Sequence, residues 1–315
     1  MWALTCAAWT QAPIERKPPP GFDQLPTLSL QSRLVTVAVN AVDAKGAPVG
    51  GLEQKDFKLF EDGKEEKIAF FDKQSATPLS IVLALDGSES VLRNERLEKL
   101  AAERFVKTVV RTAGGPGTGD ELDLMEFADD VTEVVSFTSD PKRISAGFDH
   151  LQRGDATALY NAVFLASQRL GETNQAGGRR RVLVLVTDGG DTVHGLHYDQ
   201  AIAEAERAGV VIYSLIVIPI YADAGRNTGG EHALIQMTED TGGKYFYVED
   251  AKDLGPALEK VSEDLRTQYV LGYYAPAATV KSRTDGFRAL KIEVADPKKA
   301  GDIGLRYRTG YYASK

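Results

Sequence analysis

The chain of 315 residues holds a single cysteine, Cys6, which excludes an intramolecular disulfide and any multi-cysteine zinc or iron–sulfur site. It also lacks an apolar run approaching the roughly 18 residues that a membrane span needs. The nearest stretch, Val210 to Ile218, is interrupted by Ser214, ends at Pro219 and reads as a buried strand. No long basic block is present: 37 Lys and Arg stand against 45 Asp and Glu, a formal net charge of −8. An acidic chain of this kind lacks the electrostatic footprint of a nucleic-acid binder or of a protein held on an anionic membrane surface. What remains is ordinary globular composition, 43% hydrophobic and 26% charged, so collagen-like, disordered and membrane-bundle architectures fall away. The length suggests about two domains.

The first residues stand apart. Met1 to Ala12 contains both tryptophans and the lone cysteine, and Cys6-Ala7-Ala8 or Thr10-Gln11-Ala12 has the small-residue character of an export-signal end. No Lys or Arg precedes Arg16 and the apolar stretch is short, so residues 1–27 read as a truncated signal followed by the Pro18-Pro19-Pro20-Gly21 linker. The expected location is therefore extracytoplasmic, periplasmic or secreted.

From residue 28 to 75 the pattern is strand-like. Leu34 to Val42 is rich in β-branched residues, and Phe57–Phe60 and Lys67–Phe71 flank Glu61-Asp62-Gly63-Lys64, which predicts a hairpin between them. At Pro78 the pattern changes. Ile81 to Leu85 is a continuous apolar run, as expected for a strand covered on both faces. Leu97, Ala101, Phe105 and Val109 then recur every four residues, predicting an amphipathic helix. Further strands are predicted at 122–127, 131–137, 182–186 and 211–218, with helices over 158–170, 198–208, 231–239 and 252–266. This alternation over 76–267 implies an α/β domain with a doubly wound, mostly parallel, Rossmann-like sheet. Strand signals return over 268–315, at Gln268–Tyr274, Phe287–Val294 and Leu305–Arg308. Neither flank is long enough to build a large core alone, so the two are expected to pair into a flanking β-sandwich with the α/β domain inserted between them.

Three loops of the central block carry chemistry. Asp86-Gly87-Ser88-Glu89-Ser90 follows the first apolar strand, Thr157 lies on a loop opening a helix, and Thr187-Asp188-Gly189-Gly190-Asp191 follows another strand. Open α/β sheets bind ligands at the carboxyl ends of their strands, so these loops stand in the right place. Two carboxylates and three hydroxyls form an oxygen-only set, which suits a hard cation such as magnesium or manganese. Taken singly, an Asp-x-Ser-x-Ser loop also serves as a turn and a helix cap.

Together the three pieces resemble the von Willebrand factor type A (VWFA) fold and its metal-ion-dependent adhesion site, abbreviated MIDAS. The lead-in Gly51-Leu52, Asp56-Phe57 and Phe60-Glu61-Asp62-Gly63, the run Thr157-Ala-Leu-Tyr160, then Gln268–Tyr273 and Arg308-Thr-Gly-Tyr311 extend the likeness to the bacterial VWFA-related family abundant in acidobacteria. The resemblance implies that Ser88, Ser90 and Thr157 supply hydroxyl oxygens nearest a magnesium or manganese ion. Asp86 and Asp188 would then hold it directly or through water. With neutral hydroxyls dominating, the ion keeps much of its charge, and its open position attracts an acidic side chain of a partner protein. No nucleic acid, integral membrane segment or small-molecule cofactor is expected, nor enzymatic activity. Glu89 stands where many relatives have glycine, and Asn161 where they often have aspartate. Glu89, Asp191, His194 and His197 would rim the partner-binding face.

Other motifs are weaker. His194-Gly-Leu-His197 lacks the glutamate and helical spacing of a zincin site and has no evident third ligand. Gly114–Gly119 has no Gly-Lys-Ser/Thr ending and precedes a strand, which argues against a nucleotide cradle. Arg179-Arg180-Arg181 reads as a solvated strand edge. The expected function is a metal-dependent protein-binding or adhesion module. A metal-dependent hydrolase, or a structural VWFA module with a vestigial metal site, are the alternatives.

Overall fold

The computed structural model describes residues 33–73, 77–88, 95–110, 119–173, 179–193, 195–218, 227–275 and 286–313. The export-signal stretch, the Pro18–Gly21 linker and positions 114–118 of the glycine-rich loop lie outside the described residues. The N-terminal segment forms β1 (Arg33–Val42), β2 (Phe57–Glu61), β3 (Lys64–Glu66) and β4 (Ile68–Lys73). The central block begins with β5 (Leu79–Asp86), α1 (Glu95–Val109), β6 (Glu121–Phe127), β7 (Val131–Thr138), α2 (Pro141–Gly147) and α3 (Leu159–Glu172). It continues through β8 (Arg180–Thr187), α4 (Tyr198–Ala208), β9 (Val210–Val217), α5 (Thr228–Thr241), β10 (Tyr245–Val248) and α6 (Ala251–Arg266). The chain ends in β11 (Tyr269–Ala275), β12 (Phe287–Val294), the single turn α7 (Pro297–Ala300), β13 (Gly304–Arg306) and β14 (Gly310–Tyr312).

The central strands form one sheet in the order β10-β9-β8-β5-β6-β7, parallel throughout except for the β6–β7 pair. All of β5 is buried because helices cover both faces, which is why its sequence shows no alternation. On one face α1 and α6 pack together over a core that includes Leu83, Phe105, Val184 and Val261. On the other, α3, α4 and α5 cover Ala84, Val163, Leu185, Ile202 and Met237. β6 and β7 lie to one side of β5 and β8 to β10 on the other, so the strand order reverses between β5 and β8. That reversal opens a crevice at the carboxyl ends of the two strands.

The two flanks interleave. One sheet runs β13-β1-β11-β4 and the other β14-β12-β2-β3, so each contains strands from both ends of the chain. β1 pairs with β11 from Arg33–Ala275 to Val39–Tyr269, and β2 pairs with β12 from Phe57–Val294 to Glu61–Leu290. Val35, Val37 and Val39 of β1, with Leu271 and Tyr273 beside them on β11, share a core with Leu59 and Ile292 of the other sheet. This is the flanking β-sandwich with a mixed-chain core.

The hairpin differs from its expected form. Asp62 and Gly63 both take positive φ, 49° and 81°, as a two-residue turn of the primed type requires, but the turn pairs β2 with the short β3. After Lys67 the chain crosses to the opposite sheet, where β4 pairs with β11. Apolar runs alone mark both segments as strands and do not say which sheet each joins. Arg179–Arg181 departs from the solvated edge expected of it: the Arg179 side chain is 6% exposed, and all three arginines donate to main-chain carbonyls.

A buried polar network joins the sandwich to the α/β block. Gln268 Nε2 donates to Asn40 Oδ1 at 2.9 Å and to the Tyr213 hydroxyl at 3.2 Å, and that hydroxyl donates to Asp264 Oδ2 at 2.6 Å. Arg306 pairs with the same carboxylate. Each member satisfies another, which is the condition for burying polar groups at low cost.

Candidate metal centre

Asp86 ends β5 and Thr187 ends the neighbouring β8. The two strands pair in parallel as far as Leu85–Val186, so both open at the same sheet edge, with Asp188 next in line. Asp86 is fully buried. The Ser88 backbone N–H donates to its Oδ1 at 2.9 Å, and the Thr187 hydroxyl donates to its Oδ2 at 2.6 Å. The Ser88 hydroxyl bonds the same carboxylate. Thr187 Oγ1 in turn accepts the Gly189 N–H at 3.1 Å, and Asp188 Oδ1 accepts the Gly190 N–H at 3.1 Å. The strand end and the turn beyond it are thereby tied into one unit.

The third loop is stitched on through the main chain. Gly87 N–H donates to Phe127 O at 2.8 Å, Gly154 N–H donates to Gly87 O at 3.2 Å, and Ser88 bridges to Gly154 in parallel. A few residues on, Thr157 is buried, with its N–H on Thr192 Oγ1 at 2.8 Å and its carbonyl accepting the Thr192 N–H at 2.9 Å. The loops carrying Asp86 and Ser88, Thr157, and Asp188 therefore meet at the crevice. Glu89, Ser90 and His194 lie outside the described residues. Asp191 Oδ1 accepts the Tyr160 N–H at 3.2 Å and so ties its loop to the first turn of α3. His197 is exposed and caps α4, with its backbone N–H on Gln200 Oε1 at 3.0 Å.

Three groups at this edge are not legible in the sequence pattern. Thr187 orients Asp86, Thr192 holds Thr157, and Glu126, one residue before Phe127, is buried with its Oε1 lacking a hydrogen-bond partner. Each depends on the approach of residues far apart in the chain. A closer signal existed for the Asp188 turn: Gly189 takes φ +86°, and a Cβ on Gly230 would lie 1.7 Å from Gly189 O, so the start of α5 presses backbone to backbone on that turn.

Burial pushes the Asp86 carboxyl up to about 6, against the hydrogen bonds from Thr187 and Ser88, and the nearby charge of Asp188 pushes the same way. A buried carboxylate with a second, half-buried one near enough to raise it, and hydroxyls beside it, forms an electrostatic environment that a cation relieves. Among the described residues no three His, Cys, Asp or Glu side chains converge as a metal site. A cation here would therefore take hydroxyl, main-chain or water oxygens beside Asp86 and Asp188. Such a donor set fits a hard divalent ion.

The sequence profile of the von Willebrand factor type A domain matches residues 80–262. No curated protein matches the chain. Among solved structures, proximal thread matrix protein 1 from the mussel byssus is 18% identical with a TM-score of 0.52, over 66% of this chain and 51% of its own. Its form with a zinc-occupied MIDAS motif is 19% identical with a TM-score of 0.50, over 67% and 50%. The chain thus spans about half the length of the mussel protein. An aerotolerance-related membrane protein from Bacteroides fragilis is 22% identical with a TM-score of 0.42, over 59% of this chain and 98% of its own. No helix among the described residues is long and apolar enough to cross a membrane.

Proposed function

The chain belongs to the von Willebrand factor type A domain family, and from that premise we propose that it is a divalent-cation-dependent protein-binding module. Asp86, Ser88, Ser90, Thr157 and Asp188 would hold magnesium or manganese at the β5–β8 edge. When bound, the ion supplies a positive centre that attracts a carboxylate oxygen of an acidic partner side chain. The protein's own residues prepare for this. Ser88 and Thr187 hold Asp86 in one orientation, and the Gly189–Gly230 contact fixes the Asp188 turn. The stitched loops limit the reorganisation that binding costs. Residues 76–267 would form the binding domain, and 28–75 with 268–315 its support. The protein would work outside the cytoplasm, a reading that rests on the Met1–Ala12 stretch.

One observation carries the reading: a fully buried Asp86 carboxylate, hydrogen-bonded on both oxygens, stands at the topological switch point of the sheet, where the charge of Asp188 is near enough to push its carboxyl up. The zinc-occupied MIDAS of the mussel relative supports a divalent metal in this fold. Titration calorimetry of magnesium and manganese into the protein tests it. Saturable one-site binding is expected, lost in Asp86→Ala and in Asp188→Ala while both variants keep their folded circular dichroism. Unchanged binding in either variant would remove the assignment.

A further inference from the structure

Glu126, next to last in β6, is out of place in a strand that only builds a core. Leu122 and Leu124 pack beneath α1 and α6, and strand alternation puts Glu126 next in the same row. An apolar side chain would continue the core at that position. The carboxylate standing there instead is 5% exposed, and its Oε1 is bonded to no donor. The backbone N–H of Gln152 favours its charge and burial opposes it, while no cationic side chain among the described residues balances it. A buried carboxylate oxygen without a partner costs stability, and it calls for a counter-charge that the folded chain does not supply.

The carboxylate lies against the first ligand loop. A Cβ on Gly87 would stand 3.1 Å from Glu126 Oε1 and 2.8 Å from Gln152 O, so the loop closes over these two oxygens only because residue 87 is glycine. Gly87 separates Asp86 from Ser88. Taking 3.8 Å between successive Cα atoms, Oε1 lies within about 8.5 Å of the Cα atoms of both. Through Gln152 the same carboxylate holds the loop that leads to Thr157, and Gly154 N–H closes that loop on Gly87 O at 3.2 Å. One buried charge therefore touches two of the three loops that carry the candidate ligands.

We propose that Glu126 is a positioning residue of the cation site, a role that rests on the cation reading given above. It holds two ligand loops together and sets a third negative charge within coulombic reach of the ion, from behind the loop and outside the ligand set. An ion at the β5–β8 edge supplies the missing counter-charge, at a distance within the screening length of physiological salt. Removing the charge then has two effects of opposite sign. Without the ion the fold gains, because glutamine keeps an acceptor for Gln152 N–H and replaces the unpartnered oxygen by an amide donor beside Gln152 O. With the ion, affinity falls. A side chain that merely braced the loops would move stability and affinity in the same direction.

Magnesium calorimetry and thermal melts in EDTA, both on the full chain at pH 8, test the proposal. Glu126→Gln is expected to bind magnesium at least tenfold more weakly than wild type, yet to melt in EDTA at or above the wild-type temperature. Glu126→Asp keeps the charge and is expected to stay within about threefold of wild-type affinity. Wild-type affinity in Glu126→Gln would overturn the proposal and leave the cation site standing. A joint fall of affinity and melting temperature in Glu126→Gln would make the residue a brace only, which also overturns it. So would a loss in Glu126→Asp as deep as that in Glu126→Gln. Absence of magnesium binding by the wild type would remove the cation site and this role together.

Discussion

Thr187→Val tests how Asp86 is oriented. Valine matches threonine in shape, so the change opens no cavity and removes only the hydroxyl. Two hydrogen bonds go with it: the 2.6 Å donation to Asp86 Oδ2 and the 3.1 Å acceptance from Gly189 N–H. A hydrogen bond to a charged group contributes about 1.5–3 kcal/mol, and a buried donor left unsatisfied costs about 1–3 kcal/mol. The two share one site and do not add fully, so the expected loss is about 2–4 kcal/mol in urea unfolding. With one donor fewer, the Asp86 carboxyl moves further up from about 6 and competes less well for a cation at neutral pH. Magnesium affinity should fall about tenfold, which is about 1.4 kcal/mol. Thr187→Ser is the control, since it loses a buried methyl, about 0.8 kcal/mol, and keeps both hydrogen bonds and the affinity. Stability within about 0.5 kcal/mol of wild type in Thr187→Val would show that the hydroxyl does not hold Asp86, an outcome contrary to the loss expected for such a bond.

Two further outcomes follow from the buried groups. Burial raises the Asp123 carboxyl to about 8, with Glu133 reinforcing the effect and Arg169 opposing it. Its folded value exceeds its unfolded one, so its contribution is complete below about 3.8 and is lost as pH rises through about 8. Asp123→Asn should flatten the fall in stability between pH 5 and 8.5 and raise the melting temperature at pH 8.5; an unchanged slope would contradict this. Gly230→Ala would drive a Cβ to 1.7 Å from Gly189 O. Because both partners are backbone, the Asp188 turn must shift, and magnesium affinity should fall at least tenfold with folded circular dichroism retained. Wild-type affinity in this variant would separate the turn from the cation.

Much of this architecture is written locally. The continuous run of β5 announces a strand covered on both faces, and the positions of Asp86, Thr157 and Asp188 at element ends follow from the change in periodicity around them. Longer-range features are not local properties. Lys67–Phe71 reads as a hairpin partner of β2, yet the strand it begins joins β11, because pairing is decided by Tyr269–Tyr273 far along the chain. The four-residue β10 and the seven-residue α2 fall below the length at which periodicity speaks, although Asp140 before Pro141 marks a helix start. Thr187 reads as one more β-branched strand residue until β5 and β8 are side by side. The arginine triplet looks like a solvated edge because nothing nearby in sequence says that the sandwich packs against it.

The most direct test of the cation site is anomalous diffraction from a crystal of the full chain grown with manganese. A single strong peak is expected at the carboxyl end of β5 and β8, within coordination distance of oxygens from Asp86, Ser88, Ser90 and Thr157, with Asp188 bound directly or through one water. No peak at that edge at saturating manganese, or a peak held by a different set of side chains, would contradict it.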